Sequence, residues 1–227
     1  MLTLGIETSS RLGSVALWED ERLLAERVLS QALDHGALLF VELRRLHEEL
    51  RLEPHQADLL AVSLGPGSFT GLRIGLTTAR TAAYVLGKPL LGVGSLDVLA
   101  ENAPPEAQAV VAALDAKRGE VYACVFRREG GRLRRASPYQ VVKPEALDLP
   151  TPCHVLGDAL ARYREAFERP GATLLGEEAW RPRGSVVARL AAERFAAGER
   201  QELHSIEPIY LRRPEAEEVW ERKHGKS

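Results

Sequence analysis

Cysteine is scarce in this chain: its two copies, Cys124 and Cys153, lie apart, and neither belongs to a Cys-x-x-Cys pair. Two such residues cannot staple a disulfide scaffold. They are expected as buried, reduced thiols of a reducing compartment. A basic surplus is also lacking, since 30 Lys and Arg face 32 Asp and Glu, for a net charge of −2. Nucleic-acid affinity is largely phosphate neutralisation, so this balance argues against a dedicated polyanion binder, though not against a role beside a nucleic-acid enzyme. No apolar run approaches the about 18–20 residues of a membrane span. Met1-Leu2-Thr3-Leu4-Gly5 carries no basic region before an apolar core, so no signal peptide is expected and the cytoplasm is the expected location.

Catalytic signatures are missing too. The six histidines (His35, His47, His55, His154, His204, His224) are scattered, and no pair has the i, i+4 spacing that two imidazole ligands on one helix face require. His47-Glu48-Glu49 resembles His-Glu-x-x-His for two residues only. In Gly67-Ser68-Phe69-Thr70-Gly71 the serine stands one place too early for a Gly-x-Ser-x-Gly elbow.

What the 227 residues do contain is ordinary globular material, 45% hydrophobic and 27% charged. Leu2 to Thr8, Ser14 to Trp18 and Leu23 to Ser30 read as three strands joined by polar turns. Asp34 is placed to cap a helix running to about Leu50. Ala57 to Leu64 reads as a buried strand, followed by a Gly-rich loop, a helix from about Gly71 to Leu86 stopped by Lys88-Pro89, a strand Leu90 to Val93 and a short helix capped by Ser95. Asn102-Ala103-Pro104-Pro105 is the best linker. Beyond it the plan repeats: strands at Ala109 to Asp115, Glu120 to Arg127, Leu133 to Val142 and His154 to Gly157, a helix capped by Asp158 and another capped by Ser185. The order βββ, α, β, α is thus expected twice, in units 1–103 and 104–213, with a charged tail over 214–227.

Chemistry could sit in two places. Gly65-Pro66-Gly67-Ser68-Phe69-Thr70-Gly71-Leu72-Arg73-Ile74-Gly75 joins a buried strand to a helix. Glycine lets backbone approach a ligand, the helix start offers unpaired N–H groups, and Ser68 and Thr70 add hydroxyls, so an anion could be received there. The loop is neither a Walker A nor a Gly-x-Gly-x-x-Gly motif, and it reads equally as a tight strand-to-helix connection. Glu7-Thr8-Ser9-Ser10, a hydroxyl-rich turn, could wrap a phosphate. Glu7 and Asp115 end the first strand of each half on an acid, either as a pair facing a cleft or as the caps of two tight turns.

The run Gly65 to Gly75, with Gly5-Ile6-Glu7-Thr8-Ser9, Asp115-Ala116-Lys117-Arg118-Gly119-Glu120-Val121-Tyr122 and Pro208-Ile209-Tyr210-Leu211-Arg212, resembles the TsaB (YeaZ) family over about residues 2 to 213. The resemblance implies an α/β, actin-like (ASKHA) fold of duplicated, ribonuclease H-like βββαβα domains. It implies a non-catalytic scaffold in synthesis of N6-threonylcarbamoyladenosine at position 37 of tRNA. The chain would bind the catalytic relative TsaD, meet TsaE and tRNA only through that complex, and pair with itself when alone. No cofactor would be required. A weak ATP or ADP cleft would involve Glu7, Thr8, Ser9, Gly65, Gly67, Ser68, Thr70 and Gly71. Where the catalytic relative holds a metal through His-x-x-x-His, this chain has Ser95 and Leu99. The alternatives are an ATP-dependent kinase-like enzyme of the same superfold, for which Glu7 and Asp115 supply only the acids, and an M22-type glycoprotease, for which no residues are found.

A partner surface is expected on two helices. Leu39, Leu43, Leu46 and Leu50 form a stripe suited to the chain's own sheet. Leu38, Phe40 and Val41 add apolar surface on the other sides, which something must cover. Gly71, Gly75, Ala79 and Ala83 form a small-residue stripe that would let another helix approach closely, on TsaD or a second copy, or else let the two helices simply pack on each other. Arg127, Arg128, Arg132, Arg134 and Arg135 crowd one hairpin; a tRNA contact is one reading, but strand alternation splits them across two faces, and a solvated edge that resists aggregation is the preferred one.

Overall fold

The computed structural model describes residues 1–29 and 35–212. Asp34, Ser30 and the tail 214–227 lie outside the described residues. Strands β1 (Leu2–Glu7), β2 (Ser14–Glu19) and β3 (Arg22–Val28) form the expected meander. Helix α1 (His35–Leu50), strand β4 (Leu59–Ser63), helix α2 (Phe69–Leu86), strand β5 (Leu90–Val93) and helix α3 (Ser95–Ala100) complete the first half. The second holds β6 (Ala109–Asp115), β7 (Val121–Glu129), β8 (Arg132–Arg135), β9 (Gln140–Val142), β10 (Cys153–Leu156), α4 (Leu160–Phe167), β11 (Ala172–Leu174) and α5 (Gly184–Ala196).

The two sheets have the order β3-β2-β1-β4-β5 and β8-β7-β6-β10-β11, the same path counted from each half's own first strand. β1 pairs antiparallel with β2 (Leu4 with Leu17) and parallel with β4 (Leu4 with Leu60). β6 does the same with β7 (Ala112 with Cys124) and β10 (Ala112 with Leu156). This duplicated α/β plan is the actin-like fold. The repeat departs from expectation in three places. Where the first half has α1, the second has only the 3-10 turn Pro144–Ala146. The third strand breaks into β8 and β9 around Pro138. The three-residue β11 was not anticipated.

Both faces of the first sheet are covered, which is why β4 reads as an unbroken apolar run rather than an alternating one. Leu60 and Val62 point to Leu39, Leu46, Leu76 and Ala79 of α1 and α2. Leu59 and Ala61 point to Val187 and Ala191 of α5. In the second sheet, Val110, Ala112 and Phe126 meet Leu96 and Leu99 of α3. Its other face buries Val111 and Val155 against Leu160 and Phe167 of α4. Among the described residues, the last helix of each half therefore lies on the sheet of the other. A cut at residue 104 separates the sheets, but α5 lies beyond the cut and packs on β1, β2 and β4. The helix sits so close that a Cβ on Gly5 would collide with the Gly184 carbonyl and the Ala188 backbone.

Several expected caps have other partners. Ser68 does cap α2, accepting from the Gly71 amide at 3.2 Å, and Gly87, at φ 63°, ends it. Asp158 does not cap α4; its carboxylate accepts from the Asp115 amide at 2.8 Å. Ser185 does not cap α5 through its own side chain. Glu26 of β3 does the work, accepting from the Ser185 amide (3.1 Å), the Ser185 hydroxyl (2.9 Å) and the Ser14 hydroxyl (2.9 Å). Ser14 in turn accepts from the Gly184 amide at 2.8 Å. A carboxylate at a helix N-terminus satisfies orphan amides and opposes the dipole. Glu26→Ala should cost about 1–2 kcal/mol in urea unfolding; a variant as stable as the parent would show that the clamp does not hold α5.

Candidate functional site

The Gly-rich loop and the turn after β1 come together as expected, and they fill each other. The Ser68 amide donates to the Ser9 carbonyl at 2.7 Å. A Cβ on Gly71 would collide with the Thr8 carbonyl oxygen, and one on Gly75 with the Thr8 hydroxyl. These glycines therefore let α2 press onto the turn, as a tight strand-to-helix connection requires. Gly65 is left-handed at φ 100° and joined to α3: its amide donates to the Ser95 hydroxyl (3.1 Å), and its carbonyl accepts from the Ser95 amide (2.8 Å). Thr70 faces solvent. Leu99, at the second of the two positions compared with a histidine pair, is fully buried core.

The two acids differ sharply. Glu7 is fully buried; one carboxylate oxygen accepts from the Ser9 amide and hydroxyl, both at 2.5 Å, and the other makes no hydrogen bond of good geometry among the described residues. Burial pushes its carboxyl above the ordinary value, while the Ser9 hydroxyl and amide pull it back. Asp115 is neutralised inside its own turn. Its oxygens accept from the Lys117 amide (2.8 Å) and ammonium (2.7 Å) and from Tyr163 (3.3 Å), with Arg162 at 3.6 Å. Burial would raise its pKa, but the Lys117 and Tyr163 contacts outweigh this and leave it below the ordinary value. The turn that follows runs left-handed through Lys117, Arg118 and Gly119. Among the described residues no three His, Cys, Asp or Glu side chains converge as metal ligands. The Cys124 thiol is pushed up to about 11 by burial, so it stays protonated at neutral pH.

The segment after α5, quoted above only as a resemblance, acts as a strap. Ile209 donates its amide to the Leu64 carbonyl at 2.6 Å. Tyr210 lies 5.0 Å from the Phe69 ring and accepts from Arg73 at 3.2 Å. Arg212 reaches the second half, donating to the Ala116 carbonyl at 2.7 Å and pairing with Glu120. An isolated Tyr and Arg in a polar stretch gave no periodic signal of this.

The residues expected on a partner surface divide between the surface and the core. Leu39 and Leu46 are core, as the stripe implied, and Phe40 is 62% exposed, with Leu38 and Val41 half-buried. Gly75, Ala79 and Ala83 are not surface at all: they lie inside, against the turn after β1 and the first core. Helix geometry turns the next residues outward by 100° each, and Tyr84 and Val85 are each 72% exposed. With Phe40, Leu43, Ile74 and Leu86, Val85 lines an apolar groove of about 720 Å3 between α1 and α2. The apolar run Ala82 to Leu86, longer than one stripe needs, was the available signal.

Two measurements test this geometry. Gly71→Ala gains about 1 kcal/mol of helix propensity but drives a methyl into a backbone carbonyl that cannot swing away. A net loss of about 1–2 kcal/mol is expected in urea unfolding, and a stabilised variant would refute the close contact. A group whose folded pKa is raised stabilises fully below its unfolded pKa, and that contribution is lost as pH rises through the folded value. As pH rises above the ordinary carboxylate range, Glu7→Gln should therefore melt progressively further above the parent; a melting difference independent of pH would show that burial does not raise the Glu7 carboxyl.

A model of the family described as TsaD, tRNA N6-adenosine threonylcarbamoyltransferase, matches residues 22–220. The chain is 31% identical to the tRNA threonylcarbamoyladenosine biosynthesis protein TsaB of Bacillus subtilis, covering 97% of this chain and 98% of that one. It is 30% identical to the protein of the same name from Escherichia coli, over the full length of both. The solved structure of YeaZ from Pseudomonas aeruginosa superposes with a TM-score of 0.81 at 31% identity, covering 92% of this chain and 99% of the other. Sequence, sheet order and superposition agree, and the chain belongs to the TsaB (YeaZ) family.

Proposed function

We propose that this chain is a non-catalytic subunit of tRNA N6-threonylcarbamoyladenosine synthesis that works in the cytoplasm by docking a TsaD-like catalytic protein on helices α1 and α2. The groove between those helices carries the proposal. Phe40, Tyr84 and Val85 are large, apolar and exposed beside it, and a surface of that kind marks a protein contact. A second copy of the chain would use the same face when the partner is absent, and TsaE would join through the assembled complex. The relatives that cover the whole chain are named for this pathway. Asp115 is neutralised by Lys117, and Leu99 is core, which supports a supporting rather than a catalytic role.

The rival ATP-using enzyme has one observation in its favour, a buried oxygen of Glu7 that makes no hydrogen bond of good geometry among the described residues. The turn from Glu7 to Ser9 and the loop from Gly65 to Gly71 would hold ATP or ADP weakly, with no cofactor required and no hydrolysis assigned. Transfer of labelled threonine to tRNA by purified pathway components should depend on this chain, while the chain alone stays inert. Phe40→Asp with Val85→Asp should leave the melting temperature unchanged and lower association with the catalytic partner by at least about 10-fold, as loss of two central anchors implies. Unimpaired association would move the contact elsewhere; transfer that proceeds equally without the chain would end the subunit assignment.

A further inference from the structure

The arginine hairpin is not one patch but two, and strand register separates them. β7 pairs with β8 so that Arg127 faces Arg134, Glu129 faces Arg132, Arg128 faces Leu133 and Phe126 faces Arg135. Directly paired residues share a face of the sheet. Arg128 and Arg135 lie on one side, and both are fully engaged. Arg128 donates to the carbonyls of Ala107, Gly131 and Pro104. Arg135 pairs with Asp97 and lies 4.2 Å over the Tyr139 ring. On the other side Arg127, Arg132 and Arg134 are all exposed, with no hydrogen bond or ion pair among the described residues. Glu129 is the acid they share that face with.

An edge guard explains β8 but not this arrangement. Charges on an outermost strand discourage edge-to-edge pairing. Arg127, however, stands on β7, paired with Ala109 on one side and Arg134 on the other, so it is not on an edge. Like charges directly opposite each other weaken a ladder. A pair kept in that position, on a chain whose net charge is −2, points to an anion that relieves the repulsion. Opposed side chains with Cβ atoms about 5 Å apart can bracket one phosphate with two guanidinium forks. Arg132 lies two residues along β8, about 7 Å further on. The engaged side, Arg128 and Arg135, holds the hairpin still beneath them.

We propose that Arg127, Arg132 and Arg134 form a phosphate-contacting face through which this chain grips the backbone of the tRNA being modified. The proposal rests on the tRNA-modification reading and adds to it a contact made by this subunit itself. Such a face positions RNA and reads no sequence.

Binding of a fluorescent, unmodified tRNA transcript to the full chain alone, followed by anisotropy between 50 and 200 mM salt, tests it. Three phosphate contacts predict a log–log salt slope of about −2 to −3. Arg127→Gln with Arg134→Gln should weaken binding about 10-fold at 50 mM salt and flatten the slope by about 1.5–2. The corresponding Lys pair should keep the slope. Glu129→Gln should tighten binding severalfold, a gain that no folding defect can imitate. Unchanged affinity in the Gln pair, or in Glu129→Gln, would overturn the proposal. No salt-dependent binding by the parent chain would also overturn it and hand the face to an acidic protein surface. Because no catalytic partner is present in the assay, failure here and failure of docking at α1 and α2 are separate results.

Discussion

The contact between the Gly-rich loop and the turn after β1 sets the position of nearly everything else. A single amide-to-carbonyl bond, Ser68 to Ser9, and two missing side chains, at Gly71 and Gly75, seat α2 on the end of β1. Once α2 is seated there, Leu72, Leu76, Ala79 and Ala83 must face inward. Tyr84 and Val85 must then face outward beside α1. The apolar surface exposed between α1 and α2 is thus a consequence of how closely a helix start can approach a strand end. The same contact takes up the Ser68 amide, one of the donors that a phosphate-binding loop would present to a ligand, so the segment that reads as a ligand cradle is also a packing joint.

Electrostatics follows the same economy. Each half ends its first strand on an acid, and the two acids are treated in opposite ways: Glu7 is buried among serine donors, Asp115 is paired to its neighbour Lys117. A symmetric sequence feature has become an asymmetric structure, because the first turn is covered by α2 while the second lies open to its own lysine and to Arg162. The strap from Ile206 to Arg212 joins the two environments, tying Leu64 on one side to Ala116 on the other.

Much of this was legible in the residues. The strands β1, β2 and β4 and the helix α2 emerge within a few positions of their observed limits, because their apolar spacing has one period and one burial pattern. The repeat was legible as an order of elements, but not its missing helix, since Pro144 and its neighbours carry no periodic face to read. The strand β11 is three residues long, too short for alternation to register. The stripe of Gly75, Ala79 and Ala83 announced a close approach but could not say to what; the answer, Thr8 and the chain's own core, lies more than sixty positions away. The Glu26 clamp was invisible for the same reason, as Ser185 is 159 residues downstream.

The exchange of helices between the two halves has a consequence for synthesis. Ser14 and Gly184, which meet where α5 starts, are 170 positions apart. A ribosome adding about 5–20 residues per second needs roughly 10–30 s to make that stretch. Through that interval one face of the first sheet, made before α5, has no cover, and the nascent chain must be kept from its neighbours until α5 arrives.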